Sequence, residues 1–176
     1  MSRVNTLTKV SILVALASAL HAVEALIPLP FIIVPGAKLG LANIVALYAV
    51  QTMGLGQALA ISFLRTLLGG LLGGTFLNVG YYLSTSGALA STLVMYGVSR
   101  SARGRISVVG VSVSGAFTHN LTQLAVASVL LKSLGVLFYL PYLLVLAVPT
   151  GIFVGLLAGR IIRISPERSQ NRSGRQ

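Results

Sequence analysis

Long apolar runs, broken by glycine, proline or basic residues, fill nearly the whole chain. A short basic lead, Met1 to Lys9, precedes the first run, Val10 to Ile27, and Pro28 and Pro30 end it. After a turn through Phe31 to Gly36, the pattern predicts a second helix over about Leu39 to Met53. Gly54-Leu55-Gly56 then makes a tight turn without charge. Further helices are predicted over about Gln57 to Leu72, Gly80 to Val98, Ile106 to Leu131 and Val136 to Ile164. The breaks between them fall at Gly73-Gly74-Thr75, at the basic loop 99–105 and at Lys132 to Gly135. Pro141 and Pro149 are expected to bend the last helix. Apolar runs of about 20 residues read as transmembrane helices. The expected fold is therefore all-α: a polytopic membrane protein, a six-transmembrane-helix bundle. It forms one domain over 1–164 without internal repeats, and a polar, basic, disordered tail over 165–176 follows.

Composition moves the same way. The 176 residues are 55% hydrophobic and 9% charged, with mean hydropathy +0.92, against about 25% charged in a soluble domain. Two acids, Glu24 and Glu167, face thirteen lysines and arginines, for a net charge of +11. Nucleic acid is not the implied partner, because the basic residues form no patch interleaved with aromatics. Ten of the thirteen lie at the N-terminus, at Arg100, Arg103 and Arg105, or at the C-terminus. Six crossings put these clusters on one side, which the positive-inside rule makes cytoplasmic, so both termini are expected there in a multi-pass cell-membrane protein. Ala17-Ser18-Ala19 could pass as a signal-peptide cleavage site, but the apolar run continues beyond it and more such runs follow. With no cysteine there is no disulfide, thiolate or cysteine–metal chemistry. Neither a metal nor a cofactor is expected.

Polar residues inside apolar runs are the functional candidates, because they are costly in a membrane. The stretch Pro35-Gly36-Ala37-Lys38-Leu39-Gly40-Leu41-Ala42-Asn43 sets Lys38 and Asn43 on a glycine-broken segment, and such backbone is tolerated at membrane depth where it lines a cavity. Glu24, the one acid in the membrane region, shares a helix face with His21, three residues earlier. It could pair with Lys38 or Arg65, or meet a ligand. Arg65, in mid-helix, suits bidentate contact with a carboxylate or phosphate. On the fifth helix His119 and Gln123 face the same way, with Asn120 on a neighbouring face, and hydrogen bonding between helices is the alternative for all three. Lys38 and Arg65 against Glu24 make the candidate pocket net positive, which leans toward an anionic ligand. Ser11, Ala15 and Ala19 recur at intervals of four on the first helix, either for packing within the protein or as a docking face for a partner subunit.

The stretch from Pro35 to Asn43, Arg65, and Ser112-Val113-Ser114-Gly115-Ala116 with His119-Asn120 and Gln123 resemble the Gx transporter family, whose members are also labelled heptaprenyl diphosphate synthase component I. The resemblance runs from about the first helix to the sixth. That family is similar to the substrate-binding S components of energy-coupling-factor (ECF) transporters, prokaryotic six-helix bundles with an outward-facing pocket. It implies uptake of a small vitamin-like, isoprenoid or quinone precursor, with Ala15 and Ala19 docking a transmembrane coupling subunit driven by separate ATPases. The other implication is a non-catalytic membrane subunit of heptaprenyl diphosphate synthase. Catalysis itself is not expected. Prenyl chain elongation needs magnesium held by clustered aspartates, and this chain has no aspartate and no Walker A motif.

Overall fold

The computed structural model describes residues 3–26, 40–101 and 105–165. Lys38, the prolines at 28 and 30, and all but Ser165 of the tail expected to be disordered lie outside the described residues. Those described fold into α1 (Arg3–Leu26), α2 (Leu41–Thr52), α3 (Leu55–Leu72), α4 (Val79–Ser101), α5 (Val108–Leu130) and α6 (Leu140–Ile164), with no strand among them. A 3-10 segment, Leu134–Tyr139, leads into α6 and takes the place of the first turn expected of the sixth helix. Pro141 lies in the opening turn of α6 and starts the helix rather than bending it, because an N–H there has no partner to lose. Pro149 alone sits inside the helix. The basic lead is helical from Arg3, since nothing in Asn5-Thr6-Leu7-Thr8-Lys9 breaks a helix.

Three segments are both long and apolar enough to cross a membrane: Val4–Glu24, Leu55–Leu72 and Leu134–Ile164. α4 and α5, of 23 residues each, have the length but dilute their apolar residues with serine, threonine and glycine. α2 is shorter than its apolar run predicts. Its 12 residues rise about 18 Å, well short of a hydrocarbon core of about 30 Å. Gly40 sets its start, at φ 79° in the left-handed region that favours glycine.

Contacts between helices fix their directions. Gly151 meets Val113 and Gly155 meets Val109, so α5 and α6 run antiparallel. Gly87 against His119 and Gln123, with Gly115 against Met95, gives the same sense to α4 and α5. Ser62 to Thr92 and Thr66 to Thr85 do so for α3 and α4. α2 runs parallel to α6, because Gly40 lies by Val154 and Tyr48 bonds Ser165 at 2.9 Å. One end of the bundle thus carries Gln51, Ser99, Arg100 and Ser165, and the other the connections 73–78 and 131–139.

The outside is greasy and the inside partly polar. Leu16, Leu72, Val129, Val145 and Leu156 are half to three-quarters exposed. Glu24, Arg65, Ser62, Thr66 and Thr92 are buried. A soluble domain has the reverse pattern, and an apolar belt of this extent fits lipid. Alanines such as Ala17, Ala46, Ala58 and Ala147 are fully buried where helices meet, and small side chains are what close helix packing in a membrane uses.

Candidate functional site

The polar interior begins where α2 begins. Gly40 lies beside Val154, fourteen residues along α6, so the N-terminus of α2 opens within the bundle. The first N–H groups of a helix lack intrahelical partners, and in an apolar interior they need others. Glu24 reaches from α1 and accepts the Gly40 N–H on its Oε1. A carboxylate at a helix N-terminus is also favoured by the helix dipole. One turn along, Oδ1 of Asn43 accepts from Nη2 of Arg65 at 2.6 Å. Glu24 and the Arg65 guanidinium are thus each bonded to the start of α2. Three helices therefore share one network: acid on α1, helix start and amide on α2, guanidinium on α3.

Beside this network lies a cavity of about 30 Å³, room for little more than a water molecule or two. Asn43, His119, Asn120, Ser91, Ser112 and Thr150 give it a polar lining. Asn120 also donates from Nδ2 to the Leu143 carbonyl at 2.9 Å, which ties α5 to α6. For Asn120 the structure thus shows the hydrogen bond between helices.

One turn further along α5 is a much larger space of about 550 Å³, toward the end opposite the basic clusters. Cavities of about 300–1,000 Å³ hold small ligands. Gln123 lines it, together with His21, Thr66 and Ser84, all buried. Its other walls are mostly apolar, among them Val79, Leu83, Leu124, Val136 and Leu143. Glycines open it. A Cβ at Gly69 would lie 2.5 Å from the His21 ring, and one at Gly87 would lie 3.0 Å from both His119 and the Gln123 stem. Phe76, Tyr81 and Tyr82 stack edge to face in succession, and the Tyr81 ring closes on Gly70.

The polar candidates from the sequence are thus distributed rather than gathered in one cavity. Gln123 lines the large cavity; Asn43, His119 and Asn120 line the small one; Glu24 and Arg65 are among the lining residues of neither. Lys38 lies outside the described residues. Thr66 and Ser84 were not anticipated, because hydroxyls on apolar helices commonly serve helix contacts and carry no distinguishing spacing. Ala15, Ala19 and Ser11 are all exposed, so their stripe faces away from the bundle rather than into it. No group of three or more potential metal ligands occurs among the described residues.

No curated protein and no solved structure matches this chain. A family profile does, over residues 13–161, which takes in both cavities and the Glu24–Arg65 network. The chain belongs to the heptaprenyl diphosphate synthase component I family.

Proposed function

We propose that this protein is a membrane-embedded substrate-binding subunit that captures a small vitamin-like, isoprenoid or quinone precursor for uptake. The observation that carries this reading is the cavity of about 550 Å³, walled by apolar side chains and floored by His21, Thr66, Ser84 and Gln123. A bundle that served only as an anchor has no use for such a space. With both termini cytoplasmic, the cavity opens toward the outside, where a captured substrate arrives. The exposed Ala15–Ala19 stripe offers a close-packing face to a transmembrane coupling subunit, with ATPases on other chains supplying the energy. The cationic pair that favoured an anionic ligand is absent from the described cavity wall. Arg65 is held through Nη2 by Asn43, while its buried Nε makes no hydrogen bond among the described residues.

Native mass spectrometry of the protein taken from its own membrane tests this reading. A small molecule should be retained by the natural chain and lost from Gly80→Trp, at a cavity-lining glycine where an added Cβ would meet open space. An empty natural chain, or equal retention by both, counts against it.

The family name favours a second reading: a non-catalytic membrane subunit of heptaprenyl diphosphate synthase. On that reading a separate catalytic chain should co-purify and lose long-chain product formation when this protein is removed.

A further inference from the structure

Resting on the large cavity as a binding site, we propose that its ligand is an uncharged amphipathic molecule: an apolar body with one pole, such as a primary amide or alcohol, that both donates and accepts hydrogen bonds. Charge comes first. Among the described residues, no lysine, arginine, aspartate or glutamate lines the cavity. Apart from the His21 imidazole, an ion brought there would lose its water without gaining a counter-charge from the described lining, which is far costlier than burying a neutral group that finds partners.

The pole is set by two side chains. Gln123 on α5 and Ser84 on α4 are 6% and 7% exposed, line the cavity, and make no side-chain hydrogen bond among the described residues. Their polar atoms are not sealed in protein but open to the cavity, so their hydrogen-bonding capacity is left for what occupies it. They are also neighbours. The Gln123 stem packs on Gly87, and Ser84 lies one turn before Gly87 on the same face of α4. An amide and a hydroxyl each donate and accept, so together they complement a group that does both. Thr66 is already used, since it donates to the Phe63 carbonyl and accepts from Thr85. Around this pole Leu83, Leu124, Val136 and Leu143 leave an apolar surround for the ligand body.

Three probes with one body test the proposal: 4-phenylbutanamide, 4-phenylbutan-1-ol and 4-phenylbutanoate, titrated by ligand-observed NMR onto the full chain in lipid nanodiscs, against empty discs. The amide and the alcohol should bind, with the carboxylate at least tenfold weaker. Gln123→Leu and Ser84→Ala should each weaken the amide roughly two- to tenfold, the range for one neutral hydrogen bond. Both variants should keep the melting temperature of the natural chain to within a few degrees. If the carboxylate binds as tightly as the amide, the uncharged class is wrong while the cavity stands as a site. Loss of that carboxylate binding in Lys38→Ala would identify the missing charge. Amide affinity unchanged in both variants overturns the pole. Failure of all three probes on a folded chain overturns the cavity as a ligand site, and with it the reading this proposal rests on.

Discussion

Arg65 on α3 donates to Asn43 on α2 across 2.6 Å, inside a bundle whose outer surface is hydrocarbon-like. The contact turns an arginine that the bare sequence offers to a ligand into part of the frame. Asn43→Leu strands the guanidinium donor, and should cost about 1.5–3 kcal/mol. Arg65→Leu removes the same hydrogen bond from the other side and strands the Asn43 carbonyl, and should cost about 1–3 kcal/mol. A double-mutant cycle read by unfolding in detergent should show coupling of about 0.5–3 kcal/mol. Additive effects would dissolve the network.

Gly69 decides where the His21 ring sits. Gly69→Ala sets a methyl 2.5 Å from that ring, and should destabilise by about 1–3 kcal/mol while displacing His21 from the cavity floor. Gly97→Ala, on the same kind of helix but with nothing within 4 Å, should instead stabilise by about 0.5–1 kcal/mol. Thermal melting of both variants beside the natural chain settles the contrast.

The chain has no cysteine, so single cysteines report sidedness without background. Cysteines at Ser101 and Gly74 should react with impermeant maleimide from opposite faces of the membrane. Reaction of both from one face would remove the topology on which the outward-facing cavity depends.

Ala15 and Ala19 are exposed, so leucine at both positions should leave folding nearly unchanged, within about 0.5 kcal/mol. Co-purification of a coupling subunit should be lost, while probe binding in the cavity persists. A variant that unfolds would return the stripe to internal packing.

Six helices could be read from the chain because apolar runs and glycine breaks are strong local signals. The start of α2 could not. Leu39 to Met53 continues an apolar pattern, and only the placement of Gly40 against Val154 and Glu24 shows that the helix begins inside the bundle. Pro141 misled for a related reason: a proline in a long apolar run looks internal until the 3-10 segment before it is seen. Polar candidates were legible as residues but not as a constellation. Arg65, His119 and Gln123 differ by the neighbours that other helices bring, and one turn on α5 separates the small cavity from the large one. Ser84 left no trace at all, since a serine on an apolar helix carries no spacing that sets it apart.

The brevity of α2 also bears on how the protein enters the bilayer. At about 18 Å, Leu41–Thr52 cannot be handed to lipid as a separate stable span, as α1 or α3 can. Without Glu24 from α1 the Gly40 N–H would meet hydrocarbon, and without α2 Arg65 would lack Asn43. Residence of α2 in lipid is thus expected to depend on α1 and α3, since neither its short span nor its open end is self-sufficient there.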